Sequence, residues 1–294
     1  ADETATHVSE VIGAGDVRVP EPTAETAVEL MVTAVDYTVE GYGSDEYPVV
    51  HVFGRTADDE REHVRVVGVE PYFYVPTANV ADRDLVSEYD VILDTRKHPH
   101  GEPENDRFES IRGEPVTKIT TRTPRDVGQV RDEFATTYEA DILFPNRFLI
   151  DHGVTAGLRV EPRRIDGDDE AAIQVTPEHL EATDVDADLR VNTFDIEVDD
   201  RNGFPENGEE PIVCLTSHDS YRDEYVLWLY DAPDGEGVVD ESFDDYGFIS
   251  EGSTVRVEQF DDEDAMLDAF LAYLDETDAD LTTGWNFEDF DAPY

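Results

Sequence analysis

Carboxylates run through every segment of this chain, and between them lie short β-branched and aromatic runs. That pattern is the main constraint on the fold. Glu29–Val39, Pro48–Gly54, His63–Val69 and Pro71–Val75 have the composition of strands, and Gly, Pro, Asn and Asp punctuate them. Helical spacing is rarer. It occurs where Val127, Val130, Arg131 and Phe134 follow a Thr123-Pro124 entry. It recurs where Met266, Leu267, Phe270, Leu271 and Leu274 form one stripe behind Asp261 or Asp262. Strands come first and helices then alternate with them, which predicts an α+β chain.

Residues 1–27 mix Gly, Pro, Thr and acids without periodicity and read as a flexible extension. Residues 28–152 make an N-terminal α+β domain, and 153–187 a connector rich in Glu, Asp and Pro with one strand-like run at Ala171–Val175. A second domain occupies 188–294. Its three-stranded meander covers Leu189–Val198, Pro211–Ser217 and Glu224–Tyr230, and a strand at Thr254–Phe260, the amphipathic helix and a strand at Asp280–Trp285 follow. Trp228, Trp285 and Cys214 all fall in strands and are expected in the core.

The 73 acidic and 21 basic side chains leave a formal charge of −52, yet 14 Phe and 13 Tyr give the chain enough apolar surface to exclude a disordered polyanion. Lys97 and Lys118 are the only lysines. Such a surface fits a protein working in molar salt, where the Debye length falls to roughly 3 Å and self-repulsion is screened. An acidic tail or a nucleic-acid mimic would concentrate the charge in blocks, and here it is spread. No apolar run reaches about 18 residues, so no membrane span is expected. The first ten residues do not read as a signal peptide. A single cysteine excludes an intramolecular disulfide and a thiolate cage, so a reducing, cytoplasmic setting is expected.

The chemistry concentrates in Phe194-Asp195-Ile196-Glu197. In a strand, residues i and i+2 share a face, roughly 6.5–7 Å apart. Asp195 and Glu197 then project together, as hard oxygen ligands suited to Mg²⁺ or Mn²⁺. The bland reading is the acidic face of one strand in a very acidic chain. A second motif follows an apolar strand: Asn286-Phe-Glu-Asp-Phe-Asp291-Ala-Pro-Tyr294. Asp291 offers a third carboxylate. Asn286 offers an amide for a nucleic-acid backbone or a metal-bound water, or alternatively caps the helix that starts there.

Together these motifs resemble the first two exonuclease motifs of family B DNA polymerases, and the order of meander, helix and strand is similar to the ribonuclease-H-like fold of their proofreading domains. Upstream, Val35-Asp36-Tyr37, Glu70-Pro71-Tyr-Phe-Tyr74, Gly113-Glu-Pro115-Val116-Thr117 and Phe144-Pro-Asn-Arg147-Phe-Leu-Ile-Asp151 resemble landmarks of the archaeal enzymes' N-terminal domain. The resemblance implies an N-terminal α+β domain followed by a truncated ribonuclease-H-like α/β exonuclease domain with a mixed sheet. It makes Asp195, Glu197 and Asp291 the catalytic, metal-binding carboxylates of 3′→5′ proofreading with two Mg²⁺ or Mn²⁺ ions. Asn286 and Phe290 match positions that support bound DNA. Tyr37, Pro71, Pro115, Val116, Phe144 and Arg147 match a pocket for template uracil, although Lys118 stands where an apolar residue is expected and would crowd it. The implied partners are DNA, as a single-stranded 3′ end or primer–template, and a sliding clamp for a longer polymerase.

A third motif, with a Tyr and a last metal-binding Asp, is expected beyond Tyr294. A fragment without it is expected neither to extend a primer nor to retain much exonuclease activity. Two other classes compete: a free-standing ribonuclease-H-like nuclease, and a non-catalytic acidic module that grips DNA or a clamp.

Overall fold

The structure, a computed structural model, describes residues 8–12, 17–99, 107–165, 172–201, 203, 208, 210–230 and 252–294. The chain divides into two units, Ala1–Ala187 and Asp188–Tyr294.

Unit 1 is built on strands. In chain order they are β1 (Val8–Ile12), β2 (Val17–Pro20), β3 (Val28–Glu40), β4 (Tyr47–Arg55), β5 (Arg61–Val67) and β6 (Tyr72–Pro76), then β7 (Ile92–Arg96), β8 (Val116–Thr121), β9 (Gly157–Val160), β10 (Arg164–Ile165), β11 (Ala172–Val175) and β12 (Leu180–Thr183). Helices α1 (Leu85–Glu88), α2 (Pro124–Arg131) and α3 (Phe144–Asp151) lie among them. One sheet runs β10-β11-β5-β4-β3-β9-β12, and a second runs β6-β8-β7. Alternation in β4 and β5 buries Val50, Val52, Val64 and Val66 against Phe144 and Phe148 of α3. A separate core of Phe73, Val75, Ile119 and Val130 joins the smaller sheet to α2. The α2 start is a reciprocal box between Thr123 and Asp126.

Two boundaries differ from the sequence expectation. Residues 17–27 are tied down rather than flexible. Val19 of β2 is buried with Val49 and Val67, Gln174 Nε2 donates to the Arg18 carbonyl at 2.9 Å, and Thr23 N–H donates to Pro162 O at 2.8 Å. Residues 1–7 and 13–16 of the expected extension lie outside the described residues. The stretch 153–187 is not a connector: its β11 is wholly buried, pairs parallel with β5, and β9 pairs with β3. Acids are abundant everywhere in this chain, so acid-rich strands that lie in a sheet read as linker.

Unit 2 holds β13 (Val191–Val198), β14 (Ile212–Asp219), β15 (Glu224–Tyr230), β16 (Thr254–Phe260), α4 (Glu263–Thr277) and β17 (Leu281–Thr283). The sheet order is β16-β15-β14-β13-β17. β13, β14 and β15 are antiparallel, whereas β16 runs parallel to β15 and β17 parallel to β13. This is the mixed sheet that the family resemblance implied. Asp262 caps α4 by accepting from the Ala265 N–H at 2.9 Å. The helix presses Met266, Phe270 and Tyr273 onto Phe194, Ile196, Leu215 and Trp228. Trp228 is 1% exposed, as expected of a core residue, but Trp285 is 89% exposed and corrects the expectation made for it. β17 ends at Thr283, two residues before it. Cys214 is half-buried, not in the core.

Candidate functional site

β13 alternates as its sequence dictates. Phe194 and Ile196 are buried in the core, and Asp195 and Glu197 are exposed on the opposite face. Asp195 pairs across the sheet with Thr216, and Glu197 with Cys214, so these four side chains share that face. Burial pushes the Cys214 thiol up to about 11, with the Glu197 and Asp195 charges adding to it.

Beyond Thr193, which pairs with Thr283, β17 no longer covers the edge of β13. The chain nevertheless stays close. A Cβ on Gly284 would lie 2.3 Å from the Phe194 carbonyl oxygen, so only glycine fits that passage. Asn286 then takes a left-handed conformation, φ 58°, and one wide helical turn, Phe287–Asp291, follows. In it Ala292 N–H donates to Phe287 O at 3.0 Å, a five-residue step. The Asn286 side chain makes no capping bond and is exposed. Its backbone carbonyl instead accepts from Phe290 N–H at 2.9 Å. Phe287 packs edge-on to Phe194 at 5.2 Å, and Phe290 lies 5.2 Å from the Tyr294 ring, half-buried beside the core. These aromatic anchors pull the turn onto the sheet.

The result is a buried Asp291, 7% exposed, at the uncovered edge of β13. Its carboxylate accepts from the Ile196 N–H, while Oδ2 has no hydrogen-bond partner. Burial raises its pKa above the ordinary carboxylate value; the Asp195 charge, and less strongly that of Glu197, push it the same way. Asp195, Glu197 and Asp291 are thus brought into one electrostatic neighbourhood. Among the described residues no group of three or more His, Cys, Asp or Glu side chains is placed so that it could hold a metal ion as the chain stands. An orphaned buried oxygen among mutually repelling carboxylates is nevertheless a donor set suited to a hard divalent cation.

The six residues matched to a uracil pocket separate into two groups. Tyr37, Pro71, Phe144 and Arg147 line one cavity of about 360 Å³ in unit 1, with Asp36, Tyr72 and Arg131. Pro115 and Val116 do not line it. Pro115 O accepts from Thr77 N–H at 2.9 Å, and Val116 is buried at the start of β8 opposite Pro76. The Lys118 ammonium stands 3.6 Å from the centre of the Tyr72 ring, and the Arg147 guanidinium 4.7 Å from it. The Tyr72 hydroxyl donates to Asp151 at 2.8 Å.

The sequence profile of the DNA polymerase family B exonuclease domain matches residues 135–294. The chain belongs to the family B DNA polymerases. Among similar proteins, the DNA-directed DNA polymerase of Escherichia phage RB69 is 35% identical over 119 residues, covering 36% of this chain and 13% of the relative. The DNA polymerase delta catalytic subunit of Plasmodium falciparum is 22% identical, over 84% of this chain and 26% of the relative. The DNA polymerase of Desulfurococcus sp. is 27% identical, over 90% and 28%. This chain therefore spans about a quarter of the length of the last two, 26% and 28%. The family B DNA polymerase of the hyperthermophilic archaeon Pyrobaculum calidifontis superposes with a TM-score of 0.60 at 24% identity, covering 90% of this chain and 31% of that one. The mixed α+β fold of unit 2 is accordingly the ribonuclease-H-like fold of the family's exonuclease domain. No helix among the described residues of this polymerase chain is long and apolar enough to cross a membrane.

Proposed function

We propose that this chain is the N-terminal and partial exonuclease region of a halophilic archaeal family B DNA polymerase. Unit 2 would then carry carboxylates of a metal-dependent 3′→5′ proofreading site. The observation that carries this reading is Asp291: a buried carboxylate with an unpartnered oxygen, beside two exposed carboxylates on β13. Asp195, Glu197 and Asp291 would hold Mg²⁺ or Mn²⁺. When bound, such ions activate a water and stabilise the leaving 3′ oxygen. The chain's own residues fix the geometry. Asp291 is aimed by the Ile196 N–H and by the aromatic anchors of its turn, and Asp195 and Glu197 by the pleat of β13. The Asn286 amide, with no intramolecular capping task, is available to a DNA backbone. Phe290 acts on DNA only through packing that holds the turn.

The saline setting rests on 73 acids against 21 basic residues of which two are lysines, and the cytoplasmic one on the single cysteine. Screening at that salt removes the repulsion that a charge of −52 would otherwise set against DNA. A sliding clamp as partner of the longer protein rests on the family alone. In unit 1 the same reading gives the cavity of Tyr37, Pro71, Phe144 and Arg147 to template uracil, against the crowding cation of Lys118. A full-length polymerase that stalls ahead of a template uracil supports that assignment, and free read-through rejects it.

The decisive experiment replaces Asp195 and Glu197 by Ala in the full-length protein. Degradation of a single-stranded 3′ end should fall at least about a thousandfold, ~4 kcal/mol of barrier, with primer extension retained. Unchanged degradation overturns the metal assignment. Loss of DNA binding and of extension together would favour a non-catalytic DNA-gripping module.

A further inference from the structure

Trp285 is out of place as an apolar residue. Its indole is 89% exposed, whereas Trp228, the other tryptophan of the chain, is 1% exposed. Complete exposure of so large a ring forgoes most of the stabilisation its burial would give. It is not on a loose tail either. The register of β17 along β13 ends with Thr193 beside Thr283, two residues before Trp285 and two before Asp195. Gly284 is held so close to the Phe194 carbonyl that a Cβ would stand 2.3 Å from it. The following Asn286 turns left-handed at φ 58°. The backbone on both sides of the indole is therefore fixed, at the edge of the strand that presents Asp195.

We infer that Trp285 is a stacking platform for the terminal bases of a single-stranded 3′ end. This rests on the nuclease reading of the adjacent carboxylates. The chemistry of the surroundings favours a base over other flat ligands. A strand whose terminal phosphate approaches Asp195, Glu197 and Asp291 must lay its bases alongside, and β13 next to them offers only exposed carboxylates and Thr193. Arginine and lysine contacts to phosphate lose strength in molar salt, because their affinity comes from counterion release. Stacking of a base on an aromatic face does not depend on that release and accepts every base. An exposed indole beside the carboxylates is the group such a protein needs there.

The test uses the two tryptophans as internal reporters. The 294-residue chain is titrated with a short oligothymidylate in molar KCl, with EDTA present so that nothing is hydrolysed. The red-shifted emission of the exposed indole should be quenched and become shielded from iodide, while the blue emission of buried Trp228 stays unchanged. Trp285→Ala should weaken binding about 5- to 150-fold, the equivalent of ~1–3 kcal/mol, and Trp285→Phe should restore most of it. A fully paired duplex end should give no quenching. An indole still open to iodide at saturating DNA, wild-type affinity in Trp285→Ala, or no binding of the oligonucleotide at all overturns the proposal. Its failure is separable from failure of the nuclease reading. Loss of hydrolysis on replacing Asp195 and Glu197, with a silent Trp285, rejects the platform alone. Unchanged hydrolysis in that double variant rejects the site itself.

Discussion

Asp219 and Asp291 are both buried in unit 2, one opposite the first residues of β13 and the other beside its middle. Asp219 is bonded by the Arg190 guanidinium through both oxygens, with the Nε contact at 3.1 Å, and by the Tyr221 N–H at 3.0 Å. Burial alone would raise its pKa, but those bonds and the charges of Arg190 and Arg222 outweigh burial and hold it below the ordinary carboxylate range. Asp291 has one backbone donor, no cation, an orphaned oxygen and two carboxylate neighbours, and its pKa is raised. In a chain with 73 acids the residue type says nothing about role. The surroundings do. On the proposed reading, the carboxylate that serves the fold is paired at once, and the one that serves chemistry is left short of a partner.

The largest test of that contrast is Asp219→Ala. It leaves Arg190, whose side chain is only 16% exposed, without its partner, and should cost about 3–5 kcal/mol by urea unfolding. The sign with pH follows from the lowered pKa. The stabilisation from Asp219 is present above its ordinary value of 3.8 and is lost as pH falls through the lowered folded value, so wild type should show an acid-unfolding limb there. A loss below about 1 kcal/mol, the worth of a surface pair, would end the distinction.

Divalent cation is the next test. If Asp291 is short of a partner because a cation supplies it, Mg²⁺ at about 100 times its dissociation constant should add ~2.7 kcal/mol to stability. Asp195→Ala should lose most of that gain, and Asp219 variants should keep it, in thermal melts at constant KCl. Stabilisation that is equal in all three chains would mark a general salt effect.

How far the sequence foretold this contrast depends on the kind of information involved. The face shared by Asp195 and Glu197 follows from a period of two, and β13 obeys it. The cap of α4 and Met266, Leu267, Phe270 and Leu274 of its stripe were equally readable, but Leu271 is 57% exposed and Tyr273, outside the expected stripe, is buried in its stead. Asp291 was named by its motif, but its burial and orphaned oxygen were not visible. Both arise from a helical turn with five-residue steps and from the early end of β17, which no local pattern encodes. The Arg190–Asp219 pair spans 29 residues and had no signal beyond composition. Trp285 was misread because Thr-Gly-Trp continues an apolar strand in letters while the strand stops at Thr283. The glycine before it was the available clue, since a Gly inside a strand pattern marks close backbone approach. In unit 1 only β11 of the last four strands stands out in the sequence; β9, β10 and β12 read as linker because strands of two to four residues carry too few positions for periodicity to show against the acids.

That glycine gives the third test. Gly284→Ala places a methyl group against the Phe194 carbonyl and forces the two segments apart. Such overpacking should cost about 1–3 kcal/mol. It should also weaken the Mg²⁺-dependent stabilisation, because Asp291 and Asp195 are carried by the segments that separate. Full Mg²⁺ response in a destabilised Gly284→Ala chain would show that the passage serves folding only.

The smallest effect, and the one with the reversed sign, belongs to Asp291→Asn. The raised pKa means that ionisation of Asp291 opposes folding. That cost is fully present above the raised folded value and disappears as pH falls toward the ordinary 3.8. The amide keeps an oxygen for the Ile196 N–H and removes the charge that meets Asp195 and Glu197. Without divalent cation, Asp291→Asn should therefore melt higher than wild type at neutral pH. The advantage should shrink on acidification through the range where Asp291 takes up its proton. With Mg²⁺ the order should invert, since only the wild type gains a ligand. A variant less stable than wild type at neutral pH without metal would mean that Asp291 is paired after all, and would place it with Asp219 among the carboxylates that hold the fold.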